Sequence, residues 1–126
     1  MKAILIDPAN QTISEVETTG ELHDIYRIME CNMVECPISF ANGDTMYCNE
    51  NFWLEVGDEE ETRHFTGIMM ANWSYPLMGK TLVIGNDVNT GDVKDVQTAV
   101  GFLQRTIRFV DPRRVIAWAN ANGLTA

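Results

Sequence analysis

The chain predicts an α+β fold, a mostly antiparallel sheet with one N-terminal helix and two C-terminal helices packed on it. Three observations carry this expectation. Strand-like apolar runs are grouped together instead of alternating with helical segments, which argues against βαβ units. A helix-start signal, Thr18-x-x-Glu21, occurs early. The cleanest spacing of threes and fours lies in the last third, from Val93 to Val110.

The elements follow in order. Residues 2–6 (KAILI) read as a buried strand, stopped by Asp7-Pro8 and the turn residues Asn10-Gln11. Residues 12–17 (TISEVE) alternate apolar and polar as a half-buried strand does, so the two form a hairpin. After Thr18 and Glu21, a capping box in form, Leu22, Ile25, Tyr26 and Met29 place one apolar face on a first helix. Asn42-Gly43 then predicts a type I′ hairpin pairing 34–40 with 44–48. Pro37 lacks an N–H, which puts its strand at an edge or in a bulge. Residues 57–62 (GDEEET) form an acidic loop, and His64 to Trp73 is strand-like up to Ser74-Tyr75-Pro76. Thr81 to Ile84 is a compact buried strand bounded by Gly79 and Gly85.

Val93, Val96, Val100, Leu103, Ile107 and Val110 predict one long helix whose apolar stripe packs on the sheet or serves a homodimer seam. Asp111-Pro112 restarts a shorter helix, buried through Val115, Ile116, Trp118 and Ala119 and ended near Gly123. The chain is expected to be a single domain over 1–126, with 1–90 the sheet region and 91–126 a helical C-terminal extension.

A length of 126 residues suffices for a core without disulfides or a structural metal. No apolar stretch is long enough to span a membrane, and the run Ala3 to Ile6 is too short for a signal peptide. A cytoplasmic location is therefore expected. Cys31, Cys36 and Cys48 are odd in number and match no zinc spacing, so reduced thiols and no metal are expected. The net charge of −9 is uneven. Residues 1–62 hold fourteen acids against Lys2 and Arg27, while residues 63–126 hold four acids against seven bases. This acidity opposes direct nucleic-acid binding and suits a basic protein partner, nucleic-acid mimicry or plain solubility.

The opening MKAILIDPANQTISEVE and the short helix after it resemble the start of the family called domain of unknown function 3846. Cys48-Asn49-Glu50 and the Gly-bounded strand Gly79 to Gly85 are similar to later pieces of that family. The resemblance covers roughly residues 1–90. It implies a phage or mobile-element accessory protein acting in a bacterial cytoplasm, and it brings no activity and no catalytic residues.

Candidate chemistry is sparse. Gly79-Lys80-Thr81 ends like a P-loop, but Ser74 stands where that pattern needs glycine, and a strand follows where it needs a helix. His23 and His64 have no nucleophile beside them in sequence. The run Asp58, Glu59, Glu60 and Glu61 lacks the alternation of a calcium loop and reads as a solvated acidic patch able to dock on a basic protein. Trp73 and Tyr75 flank a Pro-bearing loop where aromatics can stack on a base, anchor a partner or cover the core edge. Arg105 and Arg108, at i and i+3 on one helix face, can hold a phosphate, favour a helix C-terminus or bridge to the acidic half.

The leading expectation is a non-enzymatic protein that binds, and can inhibit, a host protein through an acidic face, with Asp58 to Glu61 as its docking residues. The alternative is an anti-defence protein sequestering a nucleotide or signalling molecule, with Trp73, Tyr75, Asn49, Arg105 and Arg108 as its site. No cofactor is expected under either, and an enzyme of unrecognised type ranks below both.

Overall fold

The β-branched and aliphatic runs at 2–6 and 81–84 meet as neighbouring central strands. A computed structural model describes residues 1–49, 67–70, 77–110, 117 and 121. Its elements are β1 (Lys2–Asp7), β2 (Thr12–Glu17), α1 (Leu22–Met29), β3 (Val34–Ser39) and β4 (Thr45–Asn49). Then come β5 (Gly67–Met70), β6 (Leu77–Met78), β7 (Thr81–Asn86), β8 (Val93–Lys94), α2 (Val100–Thr106) and β9 (Ile107–Val110).

Among the described residues the main sheet runs β2-β1-β7-β4-β3, with β8 paired to the end of β7. A second sheet runs β6-β5-β9. Every pairing is antiparallel. The strand period of two sorts the main sheet into two faces. Ile4, Ile6, Met46, Cys48 and Val83 point to one face and pack with Ile68, Leu77 and Ile107 of the second sheet and Leu103 of α2. Ala3, Leu82 and Ile84 point to the other and pack with Ile25 and Met29 of α1. The sheet is thus covered on both sides, and each fully buried Ile or Leu contributes roughly 1.5–3 kcal/mol.

β2 corrects the expectation of simple alternation. Its two apolar residues are three apart, so Ile13 joins one core cluster and Val16 the other. As expected from Pro37, β3 ends the described sheet, and its register shifts between Glu35 and Ile38. The Asn42-Gly43 hairpin forms, but not as a type I′ turn. Gly43 has φ +93° and Asn42 does not have positive φ. The Gly43 N–H donates to Phe40 O and the Phe40 N–H to Asp44 O, which makes a three-residue loop with glycine in the left-handed position.

The two C-terminal helices are the main correction. Two helices occur among the described residues, α1 and the seven-residue α2. The stripe from Val93 to Val110 is divided among β8, an extended stretch, α2 and β9. Its apolar residues from Val93 to Ile107 do reach the core, but from different elements. Val93 packs on the α1 face, while Val96, Val100, Leu103 and Ile107 pack on the opposite face. Ile107-Arg108-Phe109-Val110 has the composition of a strand, and its pairing to β5 outweighs the helical spacing. The helix expected after Asp111-Pro112 lies outside the described residues apart from Ala117 and Ala121, and so do the acidic loop 57–62 and both ends of the strand expected over 64–73.

Gly85 shows why β8 can lie where it does. A Cβ there would collide with Asp95 O and stand 2.8 Å from Lys94 O. The returning chain therefore crosses directly over the glycine. It then runs beside β1, where Lys2 N donates to Asp95 Oδ1 at 2.8 Å and Val96 N to Lys2 O at 2.9 Å.

Candidate functional site

Three carboxylates are buried among the described residues, and each is taken up by hydrogen bonds within the fold: Asp7 accepts from Asn10, while Asp44 and Asp24 each fasten a helix entry. Asp44 is completely buried at the start of β4. It accepts from the backbone N–H of Gln97 (3.0 Å) and Thr98 (2.7 Å) and from the Thr98 hydroxyl (2.6 Å). Asn42 Nδ2 donates to that same hydroxyl at 3.1 Å. These donors lie just ahead of Ala99, the N-cap of α2, so Asp44 anchors the entry to that helix across 53 residues of sequence.

Asp24 does the equivalent for α1. It accepts from the Thr18 hydroxyl (2.7 Å), the Thr19 N–H (3.0 Å) and the Arg27 guanidinium (2.7 and 2.9 Å). The hydrogen bonds from Thr18 and then Arg27 hold its pKa down at about 2. The expected capping box is therefore replaced. The N-cap is Glu21, without a side-chain cap bond, and the Thr18 hydroxyl turns to Asp24 while accepting from Gly20 N.

The β3–β4 rung carries the thiols. Cys48 Sγ donates to Glu35 Oε1 at 3.6 Å, and burial first, then the Glu35 charge, pushes its pKa up to about 12. Loss of surrounding water also raises Cys36, which lies beside the Tyr47 hydroxyl. Both thiols stay protonated at neutral pH and are poor nucleophiles. Among the described residues no group of three or more His, Cys, Asp or Glu is placed to hold a metal ion. His23 is exposed and faces Glu21 at 3.5 Å. The strand β7 begins at Thr81, as the rejection of a P-loop requires, and Lys80 pairs with Glu30 at 3.2 Å.

Of the site residues singled out in the sequence, the described ones, Asn49, Arg105 and Arg108, lie on three different elements. Arg105 lies in the last turn of α2 and Arg108 on β9, so they do not share a helix face. Arg105 folds back along its own helix, where a Cβ on Gly101 would sit 3.4 Å from its Nη1. Asn49 ends β4, opposite Val34. Trp73, Tyr75, Asp58, Glu59, Glu60, Glu61 and His64 lie outside the described residues. Sequence reasoning missed Asp44, whose donors are too distant in the chain to be paired with it by any local pattern.

The described surface of the first half is strongly acidic. Glu15, Glu17, Glu21, Glu30 and Glu35 are all exposed. Arg27 is committed to Asp24 and Lys80 to Glu30. Among the described residues no helix is long and apolar enough to cross a membrane. No protein-family model, curated protein or solved structure matches the chain.

Proposed function

We propose that this chain is a non-enzymatic interaction protein of the phage and mobile-element kind, acting in a bacterial cytoplasm by docking on a basic surface of a host protein. The observation that carries this reading is the acidic first half, where five exposed glutamates occur on the described surface and Asp58 to Glu61 add a further acidic run in the sequence. The commitment of the buried carboxylates Asp7, Asp24 and Asp44 to hydrogen bonds within the fold, and of Cys48 to a high pKa, supports binding over catalysis. The resemblance to domain of unknown function 3846 supplies the phage setting as part of the proposal.

The test is affinity capture from bacterial lysate with the wild-type chain and a variant in which Asp58, Glu59, Glu60 and Glu61 become Asn or Gln. A single basic protein retained by the wild type, released by moderate salt and lost from the variant is the expected result. Capture of nothing specific, or capture indifferent to those four charges, counts against acidic docking.

A further inference from the structure

The two outer strands of the main sheet are built differently, and one of them is fit to receive another strand. β3 is interrupted by its register shift around Cys36-Pro37. β2 is regular, pairing with β1 over six consecutive residues from Lys2↔Glu17 to Asp7↔Thr12. It holds no proline, lysine or bulge, and the charges that guard it, Glu15 and Glu17, are both acidic.

Met1 and Thr18 exchange both backbone bonds, N–H of Thr18 to Met1 O at 3.0 Å and Met1 N to Thr18 O at 2.7 Å. Antiparallel ladders alternate, so Val16, Ser14 and Thr12 also turn their N–H and C=O toward β1. Ile13, Glu15 and Glu17 turn theirs outward, and among the described residues only β1 pairs with β2. The side chains of these three residues share the face on which α2 lies. Glu15 and Glu17 are exposed there. Glu17 is partly balanced by Lys2 opposite and the terminal ammonium at 3.5 Å. Glu15 faces Ile4 and has no cation within ion-pair distance among the described residues.

We propose that the β2 edge binds an extended basic segment of a partner protein by strand addition. The inference rests on the acidic-docking reading and gives it a surface and a partner pattern. An antiparallel strand on β2 runs from Glu17 toward Ile13. It places a basic residue opposite Glu17, a second opposite Glu15 and an apolar one opposite Ile13. The motif is basic-x-basic-x-apolar, with main-chain bonds giving affinity and the alternate side chains giving selection. A second copy of this chain is the poorer occupant. Pairing that uses all three outward residues would set Glu15 against Glu15, and like charges directly opposite are unfavourable.

The probe is an amidated TRTKTVT peptide carrying an N-terminal fluorophore, titrated with the whole chain by fluorescence anisotropy, with backbone amide shifts followed by NMR. Saturable binding with perturbation and exchange protection at the amides of Ile13, Glu15 and Glu17 is expected. Glu15→Gln should weaken binding about two- to fivefold, the effect of one cross-strand charge pair. Glu15→Pro should abolish it, a larger loss than Glu15→Gln, because an outward N–H goes together with the carboxylate while the ladder to β1 keeps its own donors. Should that variant fail to fold, the peptide N-methylated at the three residues facing Ile13, Glu15 and Glu17 makes the same test on wild-type protein.

Equal binding of a scrambled peptide of the same composition, or of the N-methylated peptide, would overturn strand addition while leaving acidic docking in place. No binding of any peptide, or a wild-type dimer in sedimentation that Glu15→Pro dissociates, would overturn the proposed occupant. Loss of lysate capture in the Asp58–Glu61 variant is independent of all these outcomes, so the two ideas can fail separately.

Discussion

Segments 18–27 and 93–99 are both fastened to the fold through a buried aspartate, but the partners come from different distances. Asp24 binds Thr18, Thr19 and Arg27, all within six residues. Segment 93–99 is held by groups from far away in the chain: Asp44 on Gln97 and Thr98, Lys2 on Asp95 and Val96, and Gly85 beneath Asp95. The first arrangement can form as the helix forms. The second exists only when β1, β4 and β7 are assembled, so its free energy belongs to the whole sheet.

The sharpest way to break that comparison is Asp44→Ala. Three donors, the N–H groups of Gln97 and Thr98 and the Thr98 hydroxyl, lose a charged acceptor at a completely buried position. Unpaired buried donors cost about 1–3 kcal/mol each, and water can reach some of them. A loss of about 3–5 kcal/mol is expected in urea unfolding, a large share of the ~5–15 kcal/mol typical of a domain. Hydrogen exchange should rise at α2 and β8 together with the central strands. Fraying confined to α2 would show that Asp44 is a local cap after all.

Gly85→Ala should follow at about 2–3 kcal/mol, the scale of overpacking in a rigid interior. The neighbours its Cβ would meet are backbone atoms of Asp95 and Lys94, which cannot swing aside as a side chain end can. A variant of wild-type stability would mean that segment 93–96 moves freely over β7.

The contrast in distance also decides what could be read from the sequence. The hairpin β1–β2, helix α1, the edge position of β3 and the central strand at Thr81 were legible, because turn residues, an apolar face and a proline are local signals. The last third was misread because Val93, Val96, Val100, Leu103 and Ile107 keep helical spacing while belonging to β8, an extended stretch, α2 and β9. Apolar spacing reports which residues are buried, and here several elements bury them in turn. Strand composition at Ile107-Arg108-Phe109-Val110 was the signal that could have separated β9 from the helix. Of the site, Arg105 and Arg108 were placed on one helix face by the same error.

Asp24 gives the local counterpart a pH signature. Its pKa in the folded chain is about 2, against 3.8 for an ordinary aspartate. A lowered carboxylate stabilises the fold above its unfolded pKa, and that contribution is lost as pH falls from about 3.8 through about 2. Asp24→Asn should therefore reduce the urea midpoint at pH 7, by less than Asp44→Ala, and most of the gap to wild type should be gone by pH 2. A gap independent of pH would assign the effect to packing instead of charge.

The smallest expected effect isolates partnering from burial. Thr81 is as deeply buried as Asp44, yet among the described residues its hydroxyl has no hydrogen-bond partner. It lies on β7 opposite Ile6, beside the aliphatic core. Valine has nearly the same shape and no polar atom to desolvate, so Thr81→Val should be neutral or raise stability by about 1 kcal/mol. A rise in melting temperature of a few degrees is the expected measurement for a domain of this size. Removing the polar group then has opposite consequences at two equally buried positions. At Asp44 it strands three donors, and at Thr81 it strands none. A destabilised Thr81→Val would instead require the hydroxyl to serve a partner, and would make the β7 start a place where polar chemistry is held inside the sheet.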